Sequence, residues 1–154
     1  MKIGIIFYSG TGHTLQVAER LQAKLAEEGH EVSLERVIAE GRPSPTATDV
    51  PLEVAPDVTP YDALVIGSPV WGGQPASPMA AYLRWVPTLE GKDVVCLATG
   101  FFPAGWGRNQ TIARLQEMCE AKGATVRGWG SVGWLSLNRK RQIAEVVGDL
   151  SIVF

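Results

Sequence analysis

The chain opens with a short apolar segment that leads through a glycine- and hydroxyl-rich turn into a helical pattern. Lys2–Tyr8 is apolar on both faces, which is typical of a strand buried in a parallel sheet. Apolar residues about one turn apart then predict a helix over Thr14–Glu28. The turn between these segments consists of Ser9, Gly10, Thr11, Gly12, His13 and Thr14. Because backbone N–H groups at a helix N-terminus can converge on an anion, this order of segments predicts a phosphate-binding turn.

The composition of this turn, named here the phosphate loop, narrows the kind of phosphate. The loop has no Lys after Gly12, whereas the Lys of a Walker A loop reaches the β- and γ-phosphates of a nucleotide. Leu15 stands where a dinucleotide-binding fingerprint has its third Gly or Ala. The hydroxyl donors Ser9, Thr11 and Thr14 suit instead one compact terminal phosphate, such as that of FMN. The alternative interpretation is an ordinary polar turn between a strand and a helix.

Strand and helix patterns alternate along the rest of the chain. Further strands are predicted at Glu31–Ile38, Asp62–Ser68, Asp93–Ala98 and Thr125–Trp134. Further helices are predicted at Pro78–Val86, Asn109–Lys122 and Arg139–Leu150. Alternation of this kind indicates an α/β fold in which helices cover both faces of a parallel sheet. Five strands in a chain of 154 residues fit a doubly wound sheet in the order 2-1-3-4-5.

Several helix boundaries and one long connection are also predicted. Ser77 followed by Pro78 indicates an N-cap and the first residue of a helix, which Pro87 ends. Gly29 is expected to end the first helix, and Gly123 is expected to end the helix before the last strand. The connection 39–60 contains five prolines and no helical pattern. We expect it to be an irregular surface crossover that contributes no catalytic residue.

Two more loops are expected beside the phosphate loop, because doubly wound sheets bind ligands at the carboxyl ends of strands 1 and 3. The loop after strand 3, named here the first ring loop, contains Ser68, Pro69, Val70, Trp71, Gly72 and Gly73. Strand 4 is followed by a second ring loop (residues 99–107), which contains Thr99, Gly100, Phe101, Trp106 and Gly107. We place Trp71 just past the end of its strand, where a large aromatic residue is unfavourable unless it covers something. A planar apolar ring with a phosphate tail fits the three loops together, although each aromatic residue alone could serve loop packing.

The phosphate loop and the segment Pro60–Gly72 resemble the phosphate-binding loop and the first flavin loop of the flavodoxin superfamily. The resemblance covers essentially the whole chain and implies a single three-layer FMN-binding domain over residues 1–154. It implies that Trp71 flanks the isoalloxazine ring. It also implies that the Gly72-Gly73 peptide can turn a carbonyl toward N5 of reduced flavin. For the phosphate, it implies contacts from the hydroxyls of Ser9, Thr11 and Thr14 and from the amides of Gly12 and His13.

The composition argues against several classes of function. A formal net charge of −2 gives no basic footprint for nucleic acid. No apolar run approaches membrane-spanning length and no signal peptide is recognised, so we expect a cytoplasmic protein without a membrane anchor. Cys96 and Cys119 fall on apolar faces and are expected to be core residues rather than disulfide partners or metal ligands. No cluster with metal-ligand spacing is found, and no metal is expected.

His13 has two interpretations. We expect its backbone amide to contact the phosphate, while its ring lies on the surface or caps the helix. A proton donor for two-electron chemistry is the alternative. Flavodoxins often have Asn at this position, whereas a Gly-His pair is reminiscent of flavodoxin-like quinone reductases, which are usually longer.

Three functions remain open. The first is an electron carrier in which bound FMN takes electrons from a reductase and passes them to an acceptor protein. The second is an enzyme, an NAD(P)H-dependent FMN reductase of quinones or similar small acceptors. The third is a binding domain without redox activity. Small size favours the carrier, whereas weak acidity and His13 favour the enzyme, and we assign no catalytic residue.

Overall fold

A five-stranded parallel sheet lies at the centre of the computed structural model, which describes residues 1–135 and 137–154. The strands are β1 (Lys2–Phe7), β2 (Glu31–Arg36), β3 (Ile38–Ala39), β4 (Leu52–Val54), β5 (Ala63–Trp71), β6 (Gln74–Pro75), β7 (Asp93–Gly100) and β8 (Thr125–Gly133). The helices are α1 (His13–Glu27), α2 (Ser77–Trp85), α3 (Arg108–Ala121) and α4 (Arg139–Ser151), with a 3₁₀ turn at Ala104–Trp106. The central sheet has the order β2-β1-β5-β7-β8, so the predicted order 2-1-3-4-5 is confirmed.

Helices cover both faces of this sheet and bury two apolar cores. Helices α1 and α4 pack on one face, where Val17 and Val147 belong to the same buried core as Ile3 and Ile5 of β1. The other face is covered by α2 and α3, and Ile6 of β1 packs into that core. Successive residues of β1 thus point to opposite faces of the sheet. Because helices bury both faces, the strand is apolar throughout.

The two cysteines lie in the core formed with α2 and α3, as predicted. Cys96 on β7 and Cys119 on α3 are fully buried and are not joined by a disulfide. A hydrogen bond with Cys119 and burial together raise the pKa of the Cys96 thiol well above its ordinary value. Both residues therefore pack as small apolar side chains, and Cys96 is held in its unreactive protonated form.

The predicted helix ends are confirmed at two glycines, and the predicted start of α2 is wrong. Gly29 and Gly123 follow the ends of α1 and α3 with positive φ angles of 90° and 95°. The N-cap of α2 is Ala76, and Ser77 is already the first helical residue. The Ser77 hydroxyl does not cap the helix because it donates a hydrogen bond to the carbonyl of Ser44, 2.8 Å away.

The long proline-rich connection contains no helix, as predicted, but it is more ordered than an irregular crossover. Strands β3 and β4 pair antiparallel to form a small two-stranded sheet beside the main one. The buried hydroxyl of Tyr82 donates a hydrogen bond to the carbonyl of Pro56 at 2.6 Å, which fixes this connection to α2. Of the helices that the structure describes, none combines the length and the apolar character that crossing a membrane requires.

Candidate functional site

The phosphate loop connects β1 to α1 and is organised by the side chain of Ser9. The backbone N–H groups of Gly12 and Leu15 donate to Ser9 Oγ at 3.0 and 3.4 Å. Gly12 is the N-cap of α1 in the left-handed region, with φ 91°, where a residue with a side chain is strained. No side chain caps α1 and its first turn has no acidic residue. The positive end of the helix dipole is therefore not neutralised by the chain itself and suits an anion.

Thr14 connects the phosphate loop to the second ring loop. Its hydroxyl lies 2.8 Å from the hydroxyl of Thr99, and both side chains are buried. The methyl group of Thr14 rests on Gly67 of β5, where an added Cβ would lie only 3.2 Å away. The structure thus places Thr14 and Thr99 beneath the surface of the site, whereas Thr11 is exposed on it.

The first ring loop is a tight β-hairpin rather than the turn expected from the sequence. Strand β5 continues to Trp71, which pairs with Gln74 of β6, so Trp71 is the last residue of its strand and does not lie past its end. Gly72 and Gly73 form the two-residue turn with positive φ angles of 60° and 77°. Both positions favour glycine, as in the hairpin turns whose twist matches that of paired strands.

Two side chains hold this hairpin in place. Ser68 Oγ accepts the N–H of Ala76 and donates to the carbonyl of Pro69, each at 2.9 Å, so it ties the two arms together. The ring of Tyr8, which follows β1, meets the ring of Trp71 edge to face with centroids 5.5 Å apart. Ser68 therefore acts within the loop, while Trp71 is half-buried at the edge of the site.

The second ring loop presents three exposed aromatic side chains. Phe101, Phe102 and Trp106 are 48%, 55% and 72% exposed. The end of the loop approaches the first ring loop closely, since a Cβ added to Gly107 would lie 3.2 Å from the Cα of Gly73. Large aromatic residues clustered at the surface in this way are typical of a site that covers a ligand.

A cavity of about 270 Å³ separates the two ring loops. Its lining combines glycine backbone with apolar and aromatic side chains and one arginine: Val70, Gly72, Gly73, Gly100, Phe101, Phe102, Trp106 and Arg108. The cavity offers flat apolar surface, and the phosphate loop offers amides and hydroxyls. These residues fit a planar ring joined to a phosphate, which is the chemistry of FMN.

His13 lies where the phosphate loop meets the end of β8, in a position that differs from the expected one. Its ring stacks on Trp134, with centroids 4.1 Å apart and planes 17° apart, and meets Phe101 edge to face at 5.3 Å. The ring neither caps α1 nor lies free on the surface. Burial lowers the pKa of His13, and the positive charge of Arg139, which also lies over Trp134, lowers it further.

Arg36 also contributes to the site, although no local sequence pattern points to it. A guanidinium nitrogen of Arg36 donates to the carbonyl of Ser9 at 2.6 Å, which holds the phosphate loop from the β2 side. Burial raises the pKa of the neighbouring Tyr8, and the charge of Arg36 partly offsets the increase. Strands β2 and β8 are parallel to the others and also end at this edge of the sheet, so the residues at the ends of all five strands are candidate site residues.

The chain is similar in sequence to known flavodoxins and quinone dehydrogenases. Residues 5–145 match the sequence profile of the family described as Flavodoxin. The flavodoxin of Megasphaera elsdenii is 27% identical over 130 residues, which covers 82% of each chain. An NAD(P)H dehydrogenase (quinone) of Caulobacter vibrioides is 32% identical over 88 residues, covering 53% of this chain and 44% of that protein. The chain thus spans about half the length of the curated quinone dehydrogenases that it matches.

The fold is also that of solved flavodoxin structures. Oxidised flavodoxin 2 from Bacillus cereus superposes with a TM-score of 0.71 at 22% identity, over 99% of this chain and 97% of that one. The family profile covers all of the chain except a few residues at each end, and the strand order is the one expected from the sequence. The chain therefore belongs to the flavodoxin family, and FMN is the cofactor that this membership indicates.

Proposed function

We propose that residues 1–154 form a single FMN-binding domain that carries electrons between a reductase and an acceptor. One observation carries the proposal, namely that contacts bring the three loops together at one edge of the sheet. The hydroxyls of Thr14 and Thr99 form a hydrogen bond between the phosphate loop and the second ring loop. Tyr8, which directly precedes the phosphate loop, contacts Trp71 of the first ring loop. Gly73 and Gly107 lie close together and so join the two ring loops. A phosphate bound by the phosphate loop and a flat ring bound between the ring loops would therefore be near enough to belong to one molecule.

Bound FMN supplies the redox chemistry, and the residues of the chain bind it and set its surroundings. In this proposal the phosphate loop binds the phosphate through its amides and hydroxyls. The two ring loops flank the isoalloxazine ring, with Trp71 on one side and Phe101 and Trp106 on the other. None of these residues is assigned a catalytic role, because the carrier function requires only binding and exposure of the ring edge. The cytoplasm, in which free thiols persist, is the compartment that we propose.

An NAD(P)H-dependent reductase of quinones or similar small acceptors is the second candidate. It is supported by the similarity to curated proteins named NAD(P)H dehydrogenase (quinone). The weak formal net charge of −2 also supports the reductase. A carrier that docks on its partner proteins by electrostatic attraction benefits from a larger net charge than this. In this candidate the partners are a nicotinamide nucleotide and a small acceptor instead of two proteins.

Anaerobic reduction separates the two candidates. The protein is loaded with FMN and mixed with NADPH or NADH in a stopped-flow instrument while the flavin absorbance is followed. A carrier is expected to keep its oxidised spectrum until a catalytic amount of a flavodoxin reductase is added. Rapid bleaching by the nucleotide alone, at a rate that saturates with its concentration, would contradict the carrier and support the reductase. A chain that binds no FMN would contradict both.

A further inference from the structure

Arg108, the first residue of α3, is a buried cation without a counter-charge. It is 9% exposed, although arginine is among the residues that are rarely buried. Its Nε donates to the carbonyl of Phe102 at 3.2 Å, and Nη1 donates to Ser131 Oγ at 3.1 Å. Among residues 1–135 and 137–154, no carboxylate lies within ion-pair distance of this guanidinium, and Nη2 has no hydrogen-bond partner.

Two glycines make room for this side chain. A Cβ added to Gly133 would lie 3.0 Å from Nη2, and a Cβ added to Gly100 would lie 3.1 Å from Cγ of Arg108. Burial lowers the pKa of Arg108, but a guanidinium remains charged at neutral pH. A buried charge that contacts only neutral acceptors is costly unless an opposite charge joins it. The arrangement is therefore suited to an anion that enters from outside.

A second cavity, of about 380 Å³, also reaches Arg108, and no residue of the first ring loop lines it. It lies between the second ring loop and the residues Gly133, Leu135 and Gln142. Phe102, Pro103, Ala104 and Leu135 supply apolar surface, and no acidic residue lines it. The positive end of the α3 dipole is at the same place, and the first turn of α3 has no acidic residue.

We propose that this cavity binds a small, largely apolar molecule that carries one carboxylate or sulfonate, with Arg108 as the group that holds the anion. The apolar lining takes the flat body of the molecule, and Nη2 is the free donor for its charged end. The volume suits one or two fused rings. Arg108 also lines the cavity between the ring loops, so the bound molecule would lie next to the flavin. The position next to the flavin rests on the proposed FMN function, whereas binding in the cavity does not.

Two probes of the same shape and different charge test the proposal. Binding of 2-naphthoate and of 2-naphthamide is measured by titration calorimetry, first with the protein loaded with FMN and then with the protein free of FMN. Loading keeps the phosphate loop from taking the carboxylate. We expect 2-naphthoate to bind about tenfold or more tightly than the neutral amide, because a charged hydrogen bond contributes that much. If FMN does not bind, the proposed function fails while the preference can still be measured in the free protein.

Variants then assign the preference to Arg108. Arg108→Gln is expected to remove most of the preference for the carboxylate and to leave the affinity for 2-naphthamide nearly unchanged. Arg114→Gln is the matched control, because Arg114 is on the same helix, exposed, and paired with Glu117. If Arg108→Gln does not fold, Leu135→Glu tests whether the carboxylate binds in this cavity. Leu135 is exposed at the rim of the cavity, so the new glutamate would repel a carboxylate bound there. It should weaken 2-naphthoate about tenfold more than 2-naphthamide.

Backbone NMR locates the bound probe. Shifts are expected at Ala104, Gly133 and Leu135, around the cavity. Equal affinities of the parent protein for the two probes would overturn the proposal. So would an unchanged preference in the folded Arg108→Gln variant, or shifts confined to the phosphate loop or to the basic residues 139–141.

Discussion

The imidazole of His13 stacks on the indole of Trp134, with ring centroids 4.1 Å apart and planes inclined by 17°. This contact joins the phosphate loop to the residue that follows β8. It also removes part of the imidazole from water beside the charge of Arg139. The charged form of His13 is therefore disfavoured until a negative group arrives.

We predict that His13 has a pKa below 6.5 in the protein free of FMN. FMN should raise it, because the phosphate brings negative charge to the same loop. The Arg139→Gln variant should also raise it by removing the nearby positive charge, whereas Arg127→Gln, at an exposed ion pair with Asp93, should not. NMR titration of the imidazole protons measures all of these values. A pKa that is unchanged by FMN would contradict the placement of His13 at the phosphate.

The same pKa has a consequence for stability. A lowered pKa in the folded state means that the unfolded chain binds more protons in the interval between the two values. The contribution of His13 is therefore fully present above the ordinary pKa near 6.5 and is lost as pH falls from there through the lowered pKa of the folded state. Urea unfolding at pH 7.5 and 5.5 should show a larger pH-dependent loss for the parent protein than for His13→Gln. An equal loss would show that His13 is not responsible.

The sheet and its helices follow closely from the sequence because each has a strong local signal. Strands buried on both faces give continuous apolar runs, and glycines mark the ends of α1 and α3. The handedness of parallel crossovers then leaves few possible strand orders. The position of Trp71 could not be predicted in this way. The apolar pattern of β5 weakens after Ser68, and the strand continues because Val70 and Trp71 pair with β6.

The missed parts of the site share a different cause. His13 and Trp134, or Arg108 and Ser131, come together only through the arrangement of the sheet, and no local pattern connects them. Arginine is usually exposed, and the burial of Arg108 depends on the absence of side chains at Gly100 and Gly133. The error at Ser77 arose similarly, because a distant carbonyl takes its hydroxyl.

Two glycine-to-alanine substitutions test the packing of the fold, and we expect them to change the free energy of unfolding in opposite directions. A Cβ added to Gly4 would lie 2.6 Å from the buried face of the Tyr61 ring, so Gly4→Ala should lower the free energy of unfolding by about 1–3 kcal/mol. A Cβ added to Gly148 within α4 meets nothing within 4 Å. Gly148→Ala should therefore raise this free energy by roughly 0.5–1 kcal/mol, since alanine favours helices. Urea unfolding measures both, and a stable Gly4→Ala variant would contradict the contact with Tyr61.

The phosphate loop should supply much of the affinity for FMN. Thr11→Ala should weaken binding by roughly 1.5–3 kcal/mol, because a hydrogen bond to a charged group is lost. Thr11 is the clean test, since Thr14→Ala also breaks the bond with Thr99 and lowers stability. The exposed Thr125 provides the control substitution Thr125→Ala. Fluorescence titration should also show that riboflavin, which lacks the phosphate, binds far more weakly, and equal affinities would refute the phosphate assignment.

Trp71 should contact the flavin ring. Trp71→Ala is expected to weaken FMN binding by the lost burial and by about 0.5–1.5 kcal/mol of aromatic interaction. Trp129→Ala is the control, because Trp129 is an exposed tryptophan of β8 outside the three loops. The parent protein should also lose tryptophan fluorescence when FMN binds. If Trp71→Ala binds FMN as tightly as the parent, the first ring loop is wrongly assigned.

The last prediction concerns the potential of the bound flavin. Fully reduced FMN in a flavodoxin site is an anion, and nearby carboxylates make its formation harder, especially where water is excluded. Residues 69–76 and 99–107 contain no Asp or Glu, the formal net charge is only −2, and the cation of Arg108 lines the cavity between the ring loops. We therefore predict a second one-electron potential that is less negative than in strongly acidic flavodoxins, with little one-electron-reduced flavin at equilibrium.

A carboxylate added to the exposed tip of the first ring loop tests this electrostatic cause. Gln74→Glu should lower the second potential by on the order of tens of millivolts, because one charge is placed near the ring. Gln116→Glu, a matched change farther along α3, should leave it nearly unchanged, since water and salt screen a distant surface charge. Spectroelectrochemical titration measures both potentials and the amount of blue one-electron-reduced flavin. The parent protein could instead show a large stable population of that species and a very low second potential. Such a result would show that the charges near the ring do not control the potential. Exposure of the ring to water would then have to set it.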